Sequence, residues 1–170
     1  MGPSLLRDAF AHHVWATNRV LDTCAALSPE QLDTAVAGTY GSILETLRHL
    51  VRADGWYLFV ASGDRTHILD ADRSDLQELR AAMKRHGRAW SQLLVTDLDP
   101  DTILREVDDD DGYERHAPLG IQLAQALHHG TDHRSQVCTA LAELAVPVPD
   151  IDAWAFGLQD GRIVEIPPTS

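Results

Sequence analysis

The longest amphipathic run in the chain, from about Leu119 to Leu144, sets Leu123, Ala126, Leu127, Gly130, Val137, Leu141 and Leu144 at the three- and four-residue spacing of one helix face. Three further runs share that period. One extends from Ser4 to about Leu27, with Leu6, Phe10, Val14, Thr17, Leu21, Cys24 and Leu27 on its stripe. Another follows Ser42 to about Ser62, and a third runs from about Ser74 to Leu94 through Leu76, Leu79, Met83, Trp90 and Leu94. Each stripe must be covered, and four of them in 170 residues can cover one another. The period therefore predicts an all-α fold in one domain spanning residues 1–170.

The start and stop signals agree with this reading. Ser42 with Glu45 three residues on forms a capping-box pattern. Ser28-Pro29-Glu30-Gln31 opens a short segment expected to end near Gly38, and Pro147 and Pro149 stop the last long run. The polar stretch from Arg65 to Arg73 suits a crossover connection over one end of the bundle. Between Thr102 and Pro118, apolar and β-branched residues flank Asp108-Asp109-Asp110-Asp111-Gly112, which predicts a small β-hairpin before the last long helix. Those aspartates lack the alternate spacing and distal glutamate of a calcium loop. Asp152 to Phe156 is expected to add one turn before a loose tail.

A net charge of −12 with no basic cluster argues against nucleic acid and anionic membrane surfaces as partners. No apolar run reaches the length of a bilayer span and the N-terminus lacks a signal-peptide layout, so a cytoplasmic address is expected. Cys24 and Cys138 both fall within helical patterns and are expected as buried thiols without a disulfide.

Chemistry concentrates in His128-His129-Gly130-Thr131-Asp132-His133-Arg134-Ser135-Gln136. Positions four apart lie one above the other on a helix, so His129 and His133 can aim at a single metal ion, whereas His128 is turned away by roughly 100°. Two imidazoles are too few for a zinc-type site, which takes three protein ligands when a position stays open. His49 lies at the edge of its helix's apolar arc, beside Ala53, Trp56 and Val60. From this helix alone the favoured reading is a partly buried histidine bonded to a backbone carbonyl. The remaining histidines, His12, His13, His67, His86 and His116, have no partner at ligand spacing and read as surface or packing residues. Asp54 and Arg134 fall inside apolar stripes, where an unpaired charge is very costly, and are expected to meet in an ion pair or one hydrogen-bonded network.

Trp15-Ala16-Thr17-Asn18, Ser42-Ile43-x-x-Thr46-Leu47-x-His49-Leu50, Ala53-Asp54-x-Trp56 and His129-x-x-x-His133-Arg134-Ser135-Gln136, in that order, resemble the DinB/YfiT-like metalloprotein family over nearly the whole chain. Ser135 departs from the family's commoner glycine. The resemblance implies a four-helix bundle with a crossover between its second and third helices, and one divalent ion, zinc or nickel, on His49, His129 and His133. It also implies a low-molecular-weight thiol such as bacillithiol, mycothiol or glutathione as cosubstrate for a small-molecule electrophile; Asn18 matches a family position and reads either as a pocket-lining residue or as an asparagine hydrogen-bonded to a neighbouring helix. An ion with an open position lowers the pKa of a thiol, which suits thiol S-transfer. Two alternatives stay open: a metal-dependent hydrolase, although the glutamate of a His-Glu-x-x-His helix is missing, and a non-catalytic metal-binding stress protein. Apolar faces bearing Trp56 or Trp154 leave room for a homodimer.

Overall fold

The computed structural model describes residues 5–107 and 112–168. Most of them are helical: α1 (Leu5–Cys24), α2 (Pro29–Leu32), α3 (Ile43–Ser62), α4 (Leu76–Leu93), α5 (Leu119–Glu143) and α6 (Ala153–Gln159). Strands β1 (Ile103–Val107) and β2 (Glu114–Pro118) pair antiparallel between α4 and α5, with Leu104 opposite Ala117 and Glu106 opposite Arg115. The hairpin is where the sequence puts it; residues 108–111 of the Asp-Gly turn, like Ser4 as the first N-cap, lie outside the described residues.

Local chemistry explains the boundaries. Both halves of the capping box form at Ser42 and Glu45, and α3 ends where Gly63 turns left-handed at φ 75°. The N-cap of α4 is Asp75, reciprocated by Glu78. Ser74 is buried, bonds back to the Asp70 carbonyl and gives its own carbonyl to Arg48 Nε. The segment expected to be helical to Gly38 stops at Leu32 instead. Beyond it Thr34, Val36 and Thr39 favour extended backbone, and Ala35 bridges Ser42. The 65–73 stretch holds two single 3-10 turns.

α1 packs against α4 and α5, and α3 packs against the same two. The core divides in two. One apolar cluster is built on Val20, Leu21, Cys24, Ile43, Leu47, Val51, Leu79, Met83, Val137 and Leu141, the other on Phe10, Leu58, Trp90, Leu119, Leu123 and Ala126. Along each long helix, buried polar side chains fall between the two: His13 and Thr17 on α1, Asp54 on α3, His86 on α4, and His133 and Arg134 on α5. On α1 the expected stripe is buried at Phe10, Thr17, Leu21 and Cys24 and is widened by His13, Ala16 and Val20, while Leu6 is exposed. Cys24 is buried, Cys138 half-buried, and both are free.

Candidate metal centre

His49 from α3 and His129 and His133 from α5 converge: one ring nitrogen from each lies within 4.8 Å of the others. His49 Nε2 and His129 Nε2 are 3.0 Å apart. Two imidazoles bound to one zinc ion at about 2.0–2.1 Å in tetrahedral geometry put their nitrogens about 3.3 Å apart, so the pair is near coordination spacing. The donor set fits a borderline divalent ion. Burial, then the neighbouring rings of His133 and His49, push the His129 pKa down to about 3, which keeps its lone pair available. No fourth His, Cys, Asp or Glu joins the cluster among the described residues.

Two residues given no role from the sequence complete the centre. Gln136 Oε1 accepts from His133 Nδ1 at 3.0 Å, which assigns the proton to Nδ1 and leaves Nε2 to face the cluster. The same oxygen accepts the Tyr40 backbone N–H at 3.0 Å. Tyr40 is thereby fixed with its ring stacked on His49, centroids 4.1 Å apart and planes inclined by 16°. Gln136 was legible, being three residues from His133 and so on its face of the helix. Tyr40 sits in a loop, and nothing in its local pattern points to α5.

A cavity of about 440 Å³ adjoins His49 and is lined by Tyr40, Glu45, Arg48, Arg52 and Asp72. Glu45 is occupied, its Oε2 accepting the Ser42 N–H at 2.8 Å. His128, Asp132 and Ser135 are exposed, in accord with the faces assigned to them. Asn18 lines a different cavity, between α1 and α4, and donates Nδ2 to the Val14 carbonyl at 2.9 Å.

Beneath the cluster, Asp54 and Arg134 share one network without touching. His13 stands between them: its Nε2 donates to Asp54 Oδ1 at 2.9 Å, and its Nδ1 accepts from Arg134 Nη1 at 2.9 Å. Trp90 Nε1 donates to the same carboxylate oxygen at 3.1 Å. The second oxygen, Oδ2, lies 2.9 Å from His86 Nδ1, close but not aligned as a hydrogen bond. His86 Nε2 faces the His67 carbonyl at 3.2 Å, so both of its ring nitrogens lie close to oxygen atoms. Arg134 also reaches the hydroxyls of Thr17 and Thr131, each at 3.1 Å. His13 and His86, read from the sequence as surface or ordinary packing residues, are therefore core members of this network. Both sit on apolar stripes, the signal that singled out Asp54 and Arg134.

Opposing effects set the charges. Burial alone would raise the Asp54 pKa, but the imidazoles of His13 and His86 against its two oxygens outweigh it and hold the carboxyl well below its ordinary value. Burial pushes Arg134 down to about 10, with the Asp54 charge acting against it. Arg134 is adjacent to His133, and Asp54 follows His49 by about one and a half turns, so the network locks the rotation of α5 against α3. Gly130 makes the approach feasible, since a Cβ there would lie 2.6 Å from His13 Nδ1 and 2.9 Å from Arg134 Nη1.

No helix among the described residues is long and apolar enough to cross a membrane. Residues 1–161 match the DinB family. No curated protein matches the chain.

Proposed function

Because the chain belongs to the DinB family, we propose that it is a metal-dependent S-transferase in which His49, His129 and His133 hold one divalent ion, zinc or nickel, and a low-molecular-weight thiol attacks a small electrophile. The observation that carries this reading is a three-histidine cluster without a fourth protein ligand among the described residues, beside a cavity of about 440 Å³. When bound, such an ion supplies the Lewis acidity that makes a thiol ionise near neutral pH.

The chain's own residues do the positioning. Gln136 fixes the tautomer and orientation of His133, and the Tyr40 ring limits how His49 can turn. Arg48 and Arg52 in the cavity wall suit an anionic group on the thiol or its acceptor. Hydrolysis is less well served, because Asp132 is exposed and Glu45 is engaged in its cap, leaving neither free as a base at the cluster. A fourth ligand would instead favour a storage or stress-protein role. The reading includes a four-helix bundle of α1, α3, α4 and α5, with residues 63–75 as its crossover and the whole chain as one domain. It also includes the exposed Trp154 as part of a homodimer face.

The test is consumption of a general electrophile such as 1-chloro-2,4-dinitrobenzene by glutathione, mycothiol or bacillithiol. Turnover is expected with the metal-loaded protein, and its loss with chelator or His129→Ala. Full metal loading with no turnover for any of the three thiols would move the assignment to a metal-binding protein.

A further inference from the structure

On the outer side of α1 and α4, a cavity of about 890 Å³ shares no lining residue with the one beside His49. We propose that it is a second binding site, for a small organic anion with an apolar body.

The floor follows from the helix register. α1 and α4 run antiparallel, since Phe10 meets Trp90 with ring centroids 4.3 Å apart, Val14 meets Gly87, and Asp22 pairs with Arg80. A Cβ at residue 87 would lie 2.7 Å from Val14 Cγ1, so glycine there lets the helices close and leaves Val14 as the base of the cavity. One wall belongs to α4, where Lys84 and Arg88 stand one turn apart. Both are exposed, and neither has a hydrogen bond or ion pair among the described residues. The other wall is the C-terminal segment, which brings the Phe156 ring and Arg162. Arg162 is already engaged by Asp8 through contacts of 2.5 and 2.9 Å, which also tie that segment to α1.

Charge selects the ligand. The chain carries −12, yet the cavity is lined by four basic and two acidic side chains. A concave surface focuses that local reversal of sign. Lys84 and Arg88 suit a carboxylate, sulfonate or phosphate, while Val14 and Phe156 cover an apolar body; the volume lies in the range of roughly 300–1,000 Å³ usual for small-molecule sites. A polyanion is disfavoured by the acidic remainder of the surface.

The experiment titrates the protein with 1-anilinonaphthalene-8-sulfonate and with N-phenyl-1-naphthylamine, the same ring system without the anion, following fluorescence. One equivalent of the sulfonate is expected to bind, and the neutral compound roughly tenfold more weakly. Lys84→Ala with Arg88→Ala should weaken the sulfonate by roughly tenfold. Arg73→Ala with Arg85→Ala, an equal charge change at exposed positions off the cavity, should alter it by less than about twofold. Equal losses in the two double variants would reduce the effect to overall charge and overturn the site. Equal binding of the neutral compound would overturn the anion preference. A dimer in sedimentation that Lys84→Ala with Arg88→Ala dissociates would give the surface to a second copy of the chain instead.

Discussion

Replacing Asp54 by asparagine keeps the shape of a side chain that is 2% exposed and removes its charge. The bonds from His13 Nε2 and Trp90 Nε1 drop from charge-assisted to neutral, a loss of about 1 kcal/mol each. Arg134, 3% exposed, then loses the anion that offsets its burial, on the order of a further 1–3 kcal/mol. The expected cost of Asp54→Asn is about 3–5 kcal/mol in urea denaturation at pH 7, with an unchanged m-value. Combining it with Arg134→Met removes both buried charges, and the double variant should be more stable than the sum of the single effects by at least about 2 kcal/mol. The pH dependence carries the same signature. A carboxyl held below its ordinary value contributes stability that is complete above the unfolded pKa of about 3.9 and is lost as pH falls toward the folded value. Wild type should therefore lose stability below about pH 4, and Asp54→Asn should lack that part of the slope. A single variant within about 0.5 kcal/mol of wild type, or strict additivity in the double variant, would refute the coupling.

Gly130→Ala places a methyl group against His13 Nδ1 and Arg134 Nη1 and should cost about 1–3 kcal/mol despite alanine's better helix propensity, read by thermal denaturation. Gln136→Leu removes the acceptor that orients His133 and should weaken metal binding by about 10- to 100-fold in competition with a chromophoric chelator, with helix content unchanged.

Helix existence was legible because four stripes with period 3.6 leave little choice of secondary structure, and the capping boxes mark where α3 and α2 begin. The approach of His129 to His133 follows from helix geometry alone. Bringing His49 to them does not, because it depends on how α3 and α5 are rotated, and there the family resemblance supplied the ligand set. Asp54 and Arg134 were legible as members of one network because each breaks an apolar stripe, but the histidines that join it were not. His13, which stands between the two charges, lies beside the stripe of Phe10, Thr17, Leu21 and Cys24, and His86 lies among Leu79, Met83 and Trp90, so burial rather than ligand spacing places both in the network. The short reach of α2 reflects competition between helix and the Ala35–Ser42 bridge, which is a contact between segments and invisible to a local pattern.

The most direct test of the account is the metal-to-protein ratio of wild type and of His49→Ala, His129→Ala and His133→Ala, measured by elemental analysis after equilibration with zinc or nickel and removal of free ion. A single ion per chain is expected in wild type and loss of most of it in each variant, with helix content retained because the apolar stripes are untouched. A wild-type protein that binds no ion, or variants that all retain a full complement, would contradict it.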